Sequence, residues 1–482
     1  MENNTAFAAL DIGTSRIKVG VYLPWDSDQV NIIESLDTVL LKNSKDRVEM
    51  NYQILKDQLE SLLYKLGRLL ALDQVDQLYF GICGQVSSLF PWDNRGFPIS
   101  DTFPIWMDRR CESAIPEFKS LTEKGKSQEV MGSFLPPGTN WLLTKLLHQK
   151  QFGFPEDQIW AQVGDALFYE LTGTWKSHFS SQVSMVHQHQ QSYVQHFLSY
   201  LGLKINQFPI LEKHPARIQP NITEKFGLPS ESYAFPALGD FYAAFLGMQL
   251  QNNEGFMLAN TSEVVGVFTH SKTELPNNFV NVSLGKNHIN YGSTSSGGNL
   301  IPWFYKNHIK EPVSVRSLNN LTLEASKISP EDTPVFLPYI HGERAPLWET
   351  RIKESWHEQR DEHTKAHLFR GVLEGVGFAR RHCFDALKNN AITQIKVAGG
   401  STVNQLWNQI RSNIIGKKLL ISNEKELAIV GTILHMIDAL QAPINKPAIQ
   451  YHTIIPDPKS QEVYEKKYKH FLKYQQQQLA TL

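Results

Sequence analysis

The sequence predicts a mixed α/β protein built as two large domains. Residues 6–40 read as strands, residues 51–72 place leucines at helical spacing, and a strand returns at 77–83. Strands followed by amphipathic helices are typical of a layered α/β domain. The length of 482 residues allows about three domains of ordinary size or, equally, two large ones. A strand, a hydroxyl-rich turn and a second strand also occur twice, about 250 residues apart, which favours a duplicated domain.

The polar segment Gln251–Gly255 marks the predicted domain boundary, because it interrupts an apolar helix and a following strand. The expected ranges are 1–250 for the first domain, 251–445 for the second and 446–482 for a C-terminal tail and helix. The last twenty residues carry aromatic side chains at helical spacing before four glutamines. This pattern predicts a docked terminal helix with a frayed end.

Composition argues against a nucleic-acid or membrane partner. Lysine and arginine number 47 against 48 acidic residues, so the formal net charge is -1. The chain shows no basic leader and no apolar run of about 18 residues. Three scattered cysteines are too few for a disulfide framework or a cysteine-based zinc site. We therefore expect a soluble, cytoplasmic protein in a reducing compartment.

The first hairpin is a candidate phosphate-binding element. An apolar strand runs into Asp11-Ile-Gly13-Thr14-Ser15, and an alternating strand follows. Gly13 lets the backbone approach an anion closely, Thr14 and Ser15 offer donors, and Asp11 at the strand end can hold Mg²⁺ through water. The sequence has neither a G-x-x-x-x-G-K-[ST] nor a G-x-G-x-x-G loop. An ordinary turn between two strands is the alternative.

A second hairpin and a glycine pair follow the predicted boundary. The strand 256–259 leads into Asn260-Thr261-Ser262 and the strand 264–268. The strand 392–397 ends in Ala398-Gly399-Gly400-Ser401 ahead of a helix over 405–415, a junction that permits close approach of an anionic or flat ligand. Short turns that merely contain threonine, serine or glycine remain the alternative.

These elements, in this order, resemble the FGGY family of carbohydrate kinases over nearly the whole chain. The resemblance depends on short motifs spread through both halves, each weak alone. They are the first hairpin, Gly81-Ile-Cys-Gly-Gln85, Pro104-Ile-Trp-Met-Asp-Arg-Arg110, Gly164-Asp165 with Leu171-Thr-Gly173, Ala237-Leu-Gly-Asp240, Asn260-Thr-Ser262, Gly297-Gly298, Phe336-Leu-Pro-Tyr339 with Gly342-Glu-Arg-Ala-Pro346, His367-Leu-x-x-Gly-Val-Leu-Glu-Gly375, Ala398-Gly-Gly400, and Glu426 with Gly431.

The resemblance implies the actin-like, two-domain ATPase fold with ribonuclease-H-like domains and an interdomain cleft for ATP. It implies transfer of the γ-phosphoryl group to a hydroxyl of a small ketose, sugar acid or polyol, with ATP and Mg²⁺ required. The first domain would bind sugar and phosphate and carry the catalytic base, and the second would bind nucleotide. A small-molecule sugar is the expected partner, and a homodimer is compatible with the family.

Site residues follow from the same resemblance. Asp240 would accept the proton of the attacking hydroxyl, as phosphoryl transfer needs positioning and charge neutralisation more than covalent help. Asp11 would organise Mg²⁺. The residues expected to bind nucleotide or phosphate are Gly13, Thr14, Ser15, Lys18, Thr261, Ser262, Gly297, Gly399 and Gly400. Those expected to bind the sugar are Gln85, Asp108, Asp240 and Phe241.

Structural alternatives exist for the two aspartates. Asp240 precedes the helix 241–246 and suits a helix N-cap. Asp108 precedes Arg109 and Arg110 and suits an ion pair. The histidine-rich run 357–367 lacks the H-E-x-x-H spacing, so a solvated approach to a helix is favoured over a metal site.

The sequence also departs from the family pattern. Asn260 stands where many relatives have glycine, which either crowds the phosphates or reflects an asparagine in the left-handed conformation. Val86-Ser87 follow Gln85 where xylulokinases have Met-His, and the absence of Arg-Glu there argues against glycerol kinase. Other segments resemble sedoheptulokinases and gluconokinases. A catalytically silent relative that binds sugar or nucleotide is the alternative function, and an actin- or chaperone-type ATPase would leave Asp240 and the Trp106 segment without a role.

Overall fold

The computed structural model describes residues 4–41, 44, 46–122, 126–271, 275, 279–284, 287–389 and 391–482. These residues form two compact units. Unit 1 comprises Met1–Gln249 and Glu426–Ile449, and unit 2 comprises Leu250–Lys425 and Gln450–Leu482. The units differ from the predicted ranges in two respects. Residues 426–449 pack with the first half of the chain, and residues 450–482, predicted as a separate tail, belong to unit 2.

The helices have the following bounds in chain order: α1 Tyr52–Leu72, α2 Ile115–Leu121, α3 Lys126–Met131, α4 Leu142–Lys150, α5 Val163–Thr172, α6 Gln195–Leu201, α7 Pro220–Phe226, α8 Asp240–Met248, α9 Leu300–Phe304, α10 Val315–Ser326, α11 Lys365–Ala386, α12 Gln405–Ile415, α13 Leu427–Leu440 and α14 Pro458–Leu479.

The strands have the following bounds: β1 Thr5–Ile12, β2 Arg16–Tyr22, β3 Asn31–Asp37, β4 Leu40–Leu41, β5 Glu49–Asn51, β6 Gln77–Gly84, β7 Phe90–Trp92, β8 Thr102–Pro104, β9 Ile159–Ala161, β10 Lys176–Ser177, β11 Val186–His187, β12 Ser192–Tyr193, β13 Ile210–Leu211, β14 Ala216–Arg217, β15 Glu231–Ala234, β16 Leu238–Gly239, β17 Glu254–Ala259, β18 Glu263–Thr269, β19 Val280–Leu284, β20 Asn287–Ser293, β21 Val335–Leu337, β22 Ser355–His357, β23 Gln394–Ala398, β24 Lys418–Ser422 and β25 Tyr451–Ile454.

Unit 1 is organised around one mixed sheet in the order β14-β15-β6-β1-β2-β3, with β16 paired to the end of β6. β1 and β2 form an antiparallel hairpin, and β6 runs parallel to β1. Side chains of β1 alternate between two cores, as expected of a central strand. Leu10 lies in the core that includes α1, whereas Phe7 packs with residues of α13 such as Ile433.

Helix α13 lies close to both the sheet and α8, which explains why 426–449 belongs to unit 1. A Cβ on Gly431 would lie 1.8 Å from the carbonyl oxygen of Ala243, and one on Gly247 would lie 2.1 Å from that of Leu427. A Cβ on Gly81 of β6 would lie 2.4 Å from Thr432. These distances are shorter than van der Waals contact, so only glycine allows the approach.

Unit 2 repeats the sheet pattern in the order β19-β20-β18-β17-β23-β24-β25. Its β17–β18 hairpin is antiparallel and its β23 runs parallel to β17, as β6 does to β1 in unit 1. The predicted duplication of a strand-turn-strand unit is therefore confirmed. The long helix α11 forms the centre of the main helical core of this unit, together with α10, α12 and α14.

The terminal helix corrects one expectation. Helix α14 continues through the four glutamines to Leu479, whereas the sequence predicted a frayed end. Gln475 is buried and donates a hydrogen bond to the hydroxyl of Tyr339. The sequence suggests that the glutamines are solvated, because Tyr339, the partner that buries Gln475, lies more than a hundred residues earlier in the chain.

Candidate functional site

The turn between β1 and β2 is closed by backbone hydrogen bonds. The Gly13 N–H donates to the Arg16 carbonyl at 3.0 Å, and the Thr38 hydroxyl donates to the Gly13 carbonyl at 3.0 Å. A Cβ on Gly13 would lie 2.7 Å from the Arg16 carbonyl oxygen, so the tight turn requires glycine. Thr14 is half-buried and Ser15 is exposed. The turn therefore presents hydroxyl groups at the end of the central strands.

The Thr14 hydroxyl connects this turn to Gln85, which was predicted to bind sugar, and to Trp106 of the motif 104–110. It accepts a hydrogen bond from the Trp106 indole N–H at 2.8 Å and donates to Gln85 Oε1 at 3.4 Å. Gln85 is buried, and its backbone N–H donates to the Ile12 carbonyl. The structure thus brings Thr14, Gln85 and Trp106 together.

Asp11 lies at the end of β1 among charged groups. It stands opposite Lys18 on β2, and the Lys18 ammonium forms an ion pair with Glu426. The Cys83 thiol lies 3.8 Å from Asp11 Oδ1. Burial raises the pKa of Asp11 to about 7, with a further rise from Asp240 and a smaller opposing effect from Lys18. Burial and Asp240 disfavour the negative charge of Asp11, so a cation bound beside this carboxylate would stabilise its ionised form.

Asp240 is brought towards Asp11 by strand register. Asp11 pairs with Cys83 between β1 and β6, and Cys83 pairs with Leu238 of β16, two residues before Asp240. Asp240 is the first residue of α8, and its Oδ1 accepts the Phe241 N–H at 2.7 Å. Burial raises the pKa of Asp240 to about 6.

The N-cap alternative for Asp240 is wrong, because the N-cap residue of α8 is Gly239 and no side chain caps the helix there. Phe241, also predicted to bind sugar, is half-buried, and its ring packs edge-on against Phe245 at 4.3 Å.

Asp108 has the ion pair that the sequence offered as an alternative. Its carboxylate accepts the Arg110 guanidinium at 2.9 Å and the Val48 N–H at 3.0 Å, while Arg109 pairs with Glu112 instead. Asp108 is only 2% exposed. These contacts occupy both carboxylate oxygens, so Asp108 fixes the segment that carries Trp106 rather than presenting a free carboxylate.

The segment after Gln85 also uses its polar groups internally. Ser87 adopts a left-handed conformation with φ of 63°, and its hydroxyl donates to the Asn140 carbonyl at 2.8 Å. Val86 lies beside the strand that ends at Gly239, since a Cβ on Gly239 would lie 3.0 Å from Val86 Cγ1. An apolar side chain therefore stands next to the start of α8.

Three turns meet in unit 2 at the end of its central strands. The Asn260 carbonyl accepts the Gly298 N–H at 2.9 Å, and Asn260 Oδ1 accepts the Gly400 N–H at 3.2 Å. The Asn299 N–H donates to the Thr261 carbonyl at 3.0 Å. Thr261 is exposed and Ser262 half-buried. The structure therefore joins the predicted residues Thr261, Ser262, Gly297, Gly399 and Gly400 into one surface.

The role of Asn260 follows from these bonds. Its φ is not positive, so the proposed left-handed asparagine is wrong. The side chain instead holds the glycine turn, and Gly399, with φ of 121°, allows this because a Cβ there would lie 2.6 Å from Asn260 Oδ1. Gly400 faces open space, since a Cβ added to it would have no atom within 4 Å.

The two halves of the chain match the two domains of one family. Residues 6–247 match the N-terminal domain of the FGGY family of carbohydrate kinases, and residues 255–437 match its C-terminal domain. The chain belongs to the FGGY family of carbohydrate kinases. It is an ATP-dependent carbohydrate kinase, a phosphotransferase with an alcohol group as acceptor.

Relatives of this FGGY kinase include several sugar kinases. It is 26% identical to the xylulose kinase of Lactococcus lactis over 96% of this chain and 95% of that protein. It is 27% identical to the gluconokinase of Bacillus subtilis over 34% of this chain and 38% of that protein. These relationships support sugar phosphorylation and give no support to a catalytically silent relative.

Solved structures establish the fold of this FGGY kinase as the two-domain, actin-like fold. The ligand-bound xylulose kinase of Lactobacillus acidophilus superposes with a TM-score of 0.86 at 17% identity, covering 99% of both chains. The glycerol kinase of Plasmodium falciparum with ADP superposes with a TM-score of 0.81 at 17% identity, covering 98% of both chains. No described helix of the FGGY kinase is long and apolar enough to span a membrane.

Sequence reasoning missed several contacts of the FGGY kinase. Glu426 was noted for its spacing from Gly431, but its ion pair with Lys18 was not expected, as the two lie far apart in the chain. A buried carboxylate, Glu263, was also missed. The available signal was a single acidic residue opening an otherwise apolar strand, Glu263-Val-Val-Gly-Val-Phe268.

Proposed function

We propose that Asp240 is the catalytic base of this kinase and that Asp11 organises a magnesium ion for the phosphates of ATP. The observation that carries the proposal is the register of β1, β6 and β16, which directs both carboxylates to one end of the unit 1 sheet. The electrostatic effect of Asp240 on the pKa of Asp11 supports their proximity. The acceptor would be a small ketose, sugar acid or polyol.

The fit of a magnesium ion to unit 1 depends on Asp11. Among the described residues, no group of three or more histidine, cysteine, aspartate or glutamate side chains could hold a metal ion. Asp11 would hold the ion, directly or through water, and phosphate oxygens of ATP and further waters would supply the other ligands. When bound, the ion would neutralise phosphate charge.

The chain's own residues would act on the acceptor and on the phosphates. Asp240, with its pKa raised to about 6, is ionised at neutral pH and would accept the proton as the sugar oxygen bonds to the γ-phosphorus. The bond from that phosphorus to the β–γ bridging oxygen breaks, and ADP leaves. Gln85, Trp106 and Phe241 would orient the sugar, with Asp108 fixing the Trp106 segment.

The phosphates and nucleoside would be held by backbone and hydroxyl donors. In unit 1, Thr14 and Ser15 would supply these donors, Gly13 would let the phosphates approach the backbone closely, and Lys18 would supply positive charge. In unit 2, Thr261 and Ser262 would bind phosphate oxygens. Gly297, Gly399 and Gly400 would let the nucleotide approach the backbone, as glycine-rich turns at helix starts do.

A substrate panel tests the proposal. Purified protein is incubated with Mg-ATP and individual ketoses, pentitols or aldonates, and ADP release is measured. Acceptor-dependent release, with the phosphorylated sugar detected by mass spectrometry, is expected. Release that does not depend on the sugar would indicate an ATPase, and no release with any acceptor would contradict the assignment. Because the relatives are named for xylulose and gluconate, these ketose and aldonate classes come first.

We propose a cytoplasmic enzyme and a homodimer, with no nucleic-acid or membrane partner. The near-zero net charge supports the absence of a polyanionic partner. Light scattering coupled to size-exclusion chromatography would test the dimer.

A further inference from the structure

A buried charged cluster lies directly behind the three turns of unit 2. We call Glu263, Arg380 and Arg411 the Glu263 cluster. All three side chains are fully buried. Arg380 Nε donates to Glu263 Oε2 at 2.8 Å, and Arg411 Nη2 donates to Glu263 Oε1. The first residue of β18 is thereby joined to helices α11 and α12.

Each member of the cluster reaches a different turn. Arg411 Nη2 donates to Ser401 Oγ at 2.9 Å, and that hydroxyl donates to the Ala259 carbonyl at 2.9 Å. Arg380 Nη2 donates to Ser296 Oγ at 2.9 Å and to the Ser296 carbonyl. Glu263 directly follows Ser262. The cluster therefore connects the Asn260–Ser262 turn with the residues preceding Gly297 and with the turn at Gly399 and Gly400.

The cluster is poorly explained as a source of stability alone. Ions taken out of water lose hydration, and an apolar core of the same volume is often as stable. Within the described part of the chain, Arg380 Nη1 and Arg411 Nε are buried without a hydrogen-bond partner. The Glu263 cluster is therefore better explained by the fixed geometry that it gives to the turns bonded to it than by a gain in stability.

We propose that Arg411 and Arg380 are positioning residues for the nucleoside triphosphate. They hold the three turns of unit 2 in the arrangement that binds it, acting through Glu263, Ser401 and Ser296. This inference depends on the proposed function, in which those turns bind ATP. Loss of the cluster should weaken nucleotide binding selectively, because the sugar-binding residues assigned above lie in unit 1.

The same helix offers a matched control. Arg370 of α11 is buried and forms an ion pair with Glu374, which also pairs with Lys467 of α14. Arg370 donates to the Tyr464 hydroxyl at 3.1 Å as well. This second cluster attaches the terminal helix and contacts none of the three turns. Arg370→Met therefore removes a buried guanidinium of similar kind without touching the proposed nucleotide surface.

The experiment compares Arg411→Met, Arg411→Lys and Arg370→Met by steady-state kinetics and by the rise in melting temperature that ADP produces. We expect Arg411→Met to raise KM for ATP about tenfold or more and to reduce the ADP-induced shift, with KM for the sugar changed less than about twofold. Arg411→Lys keeps a buried positive charge and should fold if the methionine variant does not. It should show the same selective change in smaller degree.

Arg370→Met should lower the melting temperature and leave both KM values near those of the wild type. If the Arg411 variants change the two KM values equally, or change neither, the positioning role is wrong. Gly400→Val separates this failure from failure of the proposed function, because Gly400 has open space around it. If Gly400→Val raises KM for ATP and the Arg411 variants do not, only the inference fails. If Gly400→Val also leaves KM for ATP unchanged, the nucleotide assignment to these turns fails.

Discussion

The Trp106 indole N–H donates to the Thr14 hydroxyl at 2.8 Å, although the two residues lie 92 positions apart in the chain. Trp106 is 41% exposed, so its ring remains accessible while its nitrogen is fixed. The bond joins the segment assigned to the sugar with the turn assigned to phosphate. Loss of this bond should therefore affect the binding of both substrates.

Trp106→Phe keeps an aromatic ring but removes the donor to Thr14. We expect KM for the sugar and KM for ATP both to rise, by about three- to tenfold, because one hydrogen bond is worth about 1 kcal/mol. Trp25→Phe is the control, since Trp25 is similarly exposed at 46% and belongs to no predicted site. Equal kinetic constants for the two variants would show that the Trp106 bond has no role in binding.

Asp240→Asn should reduce turnover by about 100-fold or more while sugar and ATP binding stay within a few-fold of wild type. Its melting temperature should not fall, because the asparagine oxygen can still accept the Phe241 N–H and a disfavoured charge is removed. The control is Asp165→Ala, which removes the capping box of α5. Because Asp165 is fully buried and also accepts from Gln182 Nε2, its loss should cost about 1–3 kcal/mol of stability, with turnover nearly unchanged. Substantial turnover by Asp240→Asn would exclude Asp240 as the base.

The pH dependence of turnover should report the raised pKa of Asp240. A carboxylate accepts a proton only when ionised, so kcat at saturating Mg²⁺ should decline as the pH falls through about 6.

The contribution of Asp240 to the free energy of unfolding should instead decline as the pH rises. A carboxyl pKa raised in the folded state stabilises the protein while it is protonated, and this contribution is lost as the pH rises through about 6. Any gain in melting temperature from Asp240→Asn should therefore appear above this pH and vanish in acid. A gain that is independent of pH would argue against the raised pKa.

Asp11→Ala should abolish Mg²⁺-dependent turnover without unfolding the protein, because the role proposed for this carboxylate is to hold the cation and not to pack in the core. Turnover is measured across a magnesium titration, and circular dichroism checks the fold. Asp37→Ala, which removes an exposed carboxylate that pairs with Arg16, is the control and should behave as wild type. Thr14→Ala should be milder, since backbone amides near Gly13 remain. Normal activity of Asp11→Ala at limiting Mg²⁺ would refute the assignment.

Gly431→Ala tests the approach of α13 to α8. The added Cβ would lie 1.8 Å from the Ala243 carbonyl oxygen, so the helices must separate, at a cost of about 1–3 kcal/mol or more. Gly400→Ala, with no atom within 4 Å, is the control for stability and should unfold at the wild-type temperature. Denaturant titration of both variants measures the difference. Equal midpoints would show that the helices are not in fixed contact.

Local patterns in the sequence predicted most of the elements. The helix expected over 405–415 is confirmed as Gln405–Ile415, and that over 51–72 as Tyr52–Leu72, because apolar periodicity marks their buried faces. Turn chemistry likewise placed both hairpins. The glycines at 13 and 399 occupy positions where the backbone excludes a Cβ.

Long-range partners account for what the sequence did not predict. Three contacts join residues about a hundred positions apart or more: the Gln475–Tyr339 hydrogen bond, the Lys18–Glu426 ion pair and the Glu263 cluster. No local periodicity in the sequence predicts such pairing. The pairing of 426–449 with unit 1 has the same cause. The apolar pattern of this segment predicts a helix, but it does not show that the helix packs on the unit 1 sheet.

That pairing has a consequence for biosynthesis. During translation, the face of β1 that includes Phe7 lacks its partner Ile433 until residues 250–425 of unit 2 have been synthesised. Until then, an incomplete unit 1 exposes an apolar sheet surface, the kind of species that aggregates or recruits chaperones. A fragment ending at residue 250 would carry this exposed surface permanently. A soluble fragment of unit 1 would instead need residues 4–249 linked directly to 426–449.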